Sequence, residues 1–94
     1  MDLASRPRRG ERVLARQASG SLVLLDPDSG KYFTLDEIGA RIWELSDGSR
    51  SVSEIAEAVC AEYDAPRETV EADAVELLGD LAGEQLVVDE GARS

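Results

Sequence analysis

Apolar and polar positions alternate through Lys31–Leu35, placing Tyr32 and Thr34 on one face and Phe33 and Leu35 on the other, because strand side chains repeat every two residues. Upstream, Leu22–Leu25 is an apolar run of strand type. The intervening Pro27-Asp28-Ser29-Gly30 has turn chemistry at every position: Pro presets φ, Asp and Ser cap locally, and Gly accepts a positive φ. A hairpin is therefore predicted. Val13–Gln17, set apart by Ala18-Ser19-Gly20, is a candidate first strand ahead of it.

The period then changes to that of a helix. Asp36 suits an N-cap and Glu37 a first turn, and Ile38, Ile42 and Leu45 follow at i, i+4 and i+7, with Trp43 widening the stripe. Gly48 ends that helix, and Ser51 with Glu54 reads as a capping box for a second, whose face runs through Ile55, Ala56, Val59, Cys60 and Tyr63. Asp64 and Ala65 break it. Pro66 suits the first turn of a third helix, with apolar side Val70, Ala74, Leu77, Leu78 and Leu81. Gly83 is placed as its cap, and Leu86–Val88 as a short final strand. The elements are both α and β, and two helices joined by a tight link, then a third helix and a short strand, have the outline of a winged helix-turn-helix.

At 94 residues the chain suits one small domain, too small for a large enzyme cleft. Its net charge of −10 is uneven: residues 1–16 carry five arginines against two acids, while residues 17–94 carry five basic residues against eighteen acids. Phosphate backbones are held by Lys and Arg, so the acidic body argues against nucleic acid. The third helix, which would read DNA in a winged helix, has one basic residue, Arg67, and at least five acids. Residues 1–12 lack periodicity and read as a flexible basic tail, its arginines a solubilising arm, and residues 89–94 as a disordered acidic end. No apolar run approaches the ~20 residues of a membrane span, and Met1–Arg16 lacks the apolar core of a secretory signal. A cytoplasmic protein is expected.

The chain has no His, which removes imidazole base chemistry and His-containing metal sites. Cys60 stands alone on an apolar helix face and reads as a small core residue. The helix carboxylates form no calcium-loop pattern and read as solvated faces. No catalytic residue, metal or cofactor is expected. Asp73 borders the apolar stripe of the third helix, and reads equally as an exposed carboxylate or as a group holding a peptide's backbone or a basic side chain. The positive case is strand addition: an edge strand over Lys31–Leu35 offers unpaired N–H and C=O groups to a peptide, and a neighbouring apolar groove selects its alternate side chains. Affinities from micromolar to tens of nanomolar are reasonable for such a contact.

Leu25–Leu45 together with Gly48, Ser53–Ala56, Glu62–Asp64 and Glu71–Asp73, in this order and spacing, resembles the PqqD family over residues 20–88. The resemblance implies an α+β fold, a three-stranded antiparallel sheet packed on three helices, forming a PqqD-like recognition domain over residues 13–88 that is not an enzyme. It would bind the leader of a ribosomally made precursor peptide as an added strand between the third strand and third helix, and deliver it to a leader peptidase or other modifying enzyme. Carried onto this chain, the peptide lies along Lys31, Tyr32, Phe33, Thr34 and Leu35, facing Val70, Asp73, Ala74 and Leu77. The family often has a larger apolar residue where Ala74 stands, so a deeper groove is implied. Lasso-peptide assembly is the pathway favoured, with the peptide chaperone of pyrroloquinoline quinone synthesis, working beside a radical S-adenosylmethionine enzyme, as the alternative. A DNA-binding winged helix is the alternative from another class.

Overall fold

A three-stranded antiparallel meander leads into three helices in the computed structural model, which describes residues 1–91. Its strands are β2 (Leu14–Ala18), β3 (Ser21–Leu25) and β4 (Tyr32–Leu35), following a short β1 (Pro7–Arg9), in the spatial order β2-β3-β4. The turn after β3 closes as its residues dictate. Asp26 accepts from the Asp28 N–H at 2.9 Å and from the Ser29 hydroxyl at 3.0 Å, and Gly30 takes φ +77°. Leu22 lies opposite Leu35 and Leu24 opposite Phe33. These four form the face that packs on the helices, while Val23, Leu25, Tyr32 and Thr34 look outward. Tyr32, which the pattern alone could have put under the sheet, is 69% exposed.

Helix α1 (Glu37–Leu45) starts where Asp36 accepts from the Gly39 N–H at 2.7 Å. Helix α2 (Val52–Tyr63) begins with both hydrogen bonds of the Ser51–Glu54 capping box. Helix α3 (Arg67–Gly83) follows Pro66, which sits one residue before the helix as its N-cap. Their apolar stripes meet under the sheet: Ile42, Trp43 and Leu45 from α1, Val52, Ile55, Ala56 and Val59 from α2, and Val70, Ala74, Leu78 and Leu81 from α3. Arg41 ties α1 to α2 through a two-pronged contact with Glu62 at 2.8 and 2.9 Å.

The two ends of the chain depart from the sequence expectation. Residues 1–12 were expected to form a flexible tail, yet β1 within them pairs antiparallel with β5 (Val87–Asp89), from Pro7 opposite Asp89 to Arg9 opposite Val87. The final strand thus belongs to a second, two-stranded sheet. Pro7 and Ser5 are buried. The arginines do structural work instead of forming a solvated arm. Arg6 donates to the Ser49 carbonyl at 3.0 Å, Arg8 pairs with Glu90, and Arg9 donates to the Trp43 and Glu44 carbonyls. A cation at those orphan carbonyls also suits the negative end of α1. Gly48, at φ +86°, donates its N–H to the Pro7 carbonyl at 2.9 Å and so seats β1 against the α1–α2 link. Asp89, expected in a disordered end, lies in β5, and residues 92–94 of that expectation lie outside the described residues.

Two outcomes follow for stability. Deleting residues 1–9 uncovers the buried Leu86 and Val87, and should lower unfolding free energy by at least about 2 kcal/mol in urea titration. An unchanged denaturation midpoint would restore the solvated tail. Burial pushes the Asp89 carboxyl up, but hydrogen bonds from the Arg6 N–H, from Ser5 and from the Gly91 N–H outweigh it and hold it below the usual carboxylate range. Its contribution is therefore present above the unfolded value of about 3.9 and is lost as pH falls through the lower folded value. Asp89→Asn should be less stable than the native chain at pH 7, with the difference closing in acid. A gap that persists unchanged at pH 2 contradicts this.

Candidate functional site

Strand β4 ends its sheet, and backbone alternation decides what its free side offers. The Asp26 N–H donates to the Lys31 carbonyl at 2.9 Å, so the backbone of Lys31 faces β3. Antiparallel partners alternate between hydrogen-bonded and non-hydrogen-bonded pairs, and the register therefore turns Phe33 and Leu35 toward β3 as well. The N–H and C=O groups of Tyr32 and Thr34 point the other way, where the described residues supply no strand. Four main-chain groups on two residues form the open edge.

A groove runs beside it. Thr34, Leu35 and Asp36 form one wall, Ile38, Gly39 and Ile42 of α1 form the floor, and Asp73 and Leu77 of α3 form the far wall. Its volume of about 270 Å³ falls just below the ~300–1,000 Å³ of pockets that enclose small molecules. An open trough of that size suits side chains of an extended chain. Gly39 keeps the floor low. A Cβ there would stand 3.3 Å from the Leu35 Cβ and 3.5 Å from the Leu77 Cδ2, filling the space between strand and helix.

Lys31 stands outside the groove lining, at the far end of the seam between β4 and α3, its Nζ 2.8 Å from Glu84 just past α3. The Glu84 carboxylate, by hydrogen bond and then by charge, holds the Lys31 ammonium above its ordinary pKa. With Glu84 beside Lys31, and Leu77 and Asp73 beside Leu35 and Asp36, α3 runs antiparallel to β4. The carboxylates along this seam differ in their commitments. Asp36 is engaged at the α1 N-terminus and Glu84 by Lys31. Asp73 is exposed on the groove wall, and among the described residues no cation or donor pairs with it.

The expected contact residues divide into three groups. Thr34, Leu35, Asp73 and Leu77 line the groove, and Tyr32 supplies open backbone beside it. Lys31 precedes β4 and is bound to Glu84, while Phe33 turns inward and packs against the core. Val70 and Ala74 require correction: both are buried in the core and, unlike the equally buried Leu35 and Ile42, neither reaches the groove lining. Ala74 therefore does not deepen the trough as its small size suggested. Ile38, Gly39, Ile42 and Asp36 were not expected at the site. The apolar spacing of α1 places Ile38 and Ile42 on one stripe, but spacing does not divide a stripe between core and groove floor.

Comparison with known proteins places this geometry in context. The chain is 36% identical over 80 residues to a "PqqA binding protein" of Xanthomonas oryzae pv. oryzae (strain PXO99A), covering 85% of each. The structure of TbiB1 in complex with the TbiA(beta) leader peptide matches with a TM-score of 0.72 and 37% identity, covering 93% of this chain and 99% of that one. A lasso peptide synthetase B1 complexed with the leader peptide matches with a TM-score of 0.75 and 25% identity, covering 89% and 99%. Residues 21–87, spanning β3 to the start of β5, match the family described as coenzyme PQQ synthesis protein D, and the chain belongs to this PqqD family.

Proposed function

We propose that this protein captures the leader segment of a ribosomally made precursor peptide by adding it as a strand to β4, and delivers it without catalysis to a leader peptidase or other modifying enzyme. The observation that carries this reading is the open Tyr32–Thr34 edge lying directly beside the groove under Leu77. An incoming antiparallel strand gains hydrogen bonds to four main-chain groups. Its alternate side chains meet Ile38 and Leu77, the part-exposed apolar side chains of a groove whose base is closed by the buried Leu35 and Ile42. Two structures of similar fold, each with a leader peptide bound, support the same occupant.

Lasso-peptide assembly is the pathway we favour, on the likeness to the lasso synthetase B1. The 36% identity to a PqqA binding protein favours the second reading, a chaperone in pyrroloquinoline quinone synthesis. A nucleic-acid role has less support, because Arg67, the basic side chain of α3, is held by Glu71 at 2.9 Å.

Direct titration separates the two pathways. The leader peptide bound by the lasso peptide synthetase B1 should bind with micromolar affinity or better, and PqqA at least about tenfold more weakly, a gap of ~1.4 kcal/mol. The reverse order selects the quinone pathway. Thr34→Pro removes an N–H that the sheet does not use and that an added strand needs, a substitution edge strands tolerate. It should weaken leader binding by at least about tenfold with an unchanged circular dichroism spectrum. Leu77→Asp should do the same by placing a charge in the apolar trough. Full affinity in both folded variants would remove the groove as the binding site.

A further inference from the structure

The two ends of the seam between β4 and α3 differ in charge, and the difference specifies more than an extended apolar peptide. At the Lys31 end a cation and the carboxylate of Glu84 already satisfy each other at 2.8 Å. At the Leu35–Asp36 end the wall carries Asp73, exposed and unpaired among the described residues, one helical turn before Leu77. The other groove carboxylate at that end, Asp36, has one oxygen engaged by the Gly39 N–H. A strand laid there brings its side chains into a negative field with no basic side chain in the groove lining to offset it.

The spacings of helix and strand are commensurate along this seam. Four helical residues advance ~6 Å and two strand residues ~6.6 Å, so successive groove-facing side chains of an added strand meet Leu77 and then Asp73. Antiparallel addition is the arrangement with the better hydrogen-bond geometry, and it sets the N-terminal part of the peptide beside Thr34 and Leu35. Taking the leader-capture reading above as its basis, we infer that Asp73 is a specificity-determining residue selecting peptides with a Lys or Arg two positions N-terminal to a large apolar anchor, the anchor seated on Leu77 and the cation on Asp73. Charge complementarity here favours one direction as well as one register, since the same peptide reversed would carry its cation away from Asp73 and toward the Lys31 end of the seam.

A randomised nine-residue peptide library displayed on phage tests this without a known leader. Against the native protein, recovered peptides should be enriched at least about fivefold in Lys or Arg two residues before a large apolar residue, the discrimination of one partly exposed charge pair at ~1 kcal/mol. Asp73→Asn should abolish the basic enrichment while keeping the apolar one. Asp73→Lys should replace it with Asp or Glu. Asp73 is exposed and outside the core, so both variants should fold, and circular dichroism checks it. Recovery of apolar-anchored peptides with no basic preference, or with one that survives Asp73→Lys, overturns the assignment while leaving leader capture standing. Recovery of no peptide whose binding Leu77→Asp abolishes overturns both.

Discussion

The alternation of hydrogen-bond direction along β4 is the constraint on which the rest of the site depends. Lys31, Phe33 and Leu35 spend their backbone groups on β3, so Tyr32 and Thr34 must present theirs to the other side. A helix cannot satisfy them, because its own N–H and C=O groups are used within it. Placing α3 beside β4 therefore shelters the edge without closing it. An open edge is a liability that folded proteins usually blunt, and here the wall of α3 limits access to something as thin as one strand. The other edge of the sheet, β2, is exposed on both faces and has no such wall, and it carries Arg16, with Arg12 just ahead of it held by Asp28 at 3.1 Å. An apolar hollow lined by Leu14, Ala18, Val23 and Leu25 does open on the outer face of β2 and β3, but among the described residues no helix stands opposite the β2 edge to form a trough for an added strand.

Separation between α3 and β4 is set by packing. Gly39 lets Leu77 and Leu35 approach across α1 without filling the trough, while Val70, Ala74, Leu78 and Leu81 anchor α3 in the core. Leu77 sits at the margin of that stripe and is half-buried, which frees it to be both core neighbour and groove wall. The Lys31–Glu84 contact spans strand and helix at one end. Being exposed and screened, it positions the end of the seam more than it stabilises the fold.

Local chemistry was legible wherever a short stretch determines its own structure. The Asp26–Gly30 turn, the Asp36 cap and the Ser51–Glu54 capping box all form from residues within four positions of one another, and each appears where its sequence signature lies. β1 was illegible for the opposite reason. Pro7-Arg8-Arg9 has no strand signature, and what orders it is a partner some eighty residues away, Val87–Asp89, together with carbonyls at the end of α1. At the groove, periodicity found the right face of α3 but could not rank residues within it. Val70, Ala74 and Leu77 share one stripe, and only the position of β4 decides that the first two are sealed and the third is open. The membership of Ile38 and Ile42 was hidden in the same way.

Amide hydrogen exchange followed by NMR, with and without the TbiA(beta) leader, tests the strand-addition account most directly. The account predicts that the Tyr32 and Thr34 N–H groups, unpaired by the sheet, exchange quickly in the free protein and become strongly protected on peptide addition, while Phe33 and Leu35 change little. Saturating peptide that leaves Tyr32 and Thr34 unprotected would contradict it, because the peptide would then be held somewhere other than the open edge of β4.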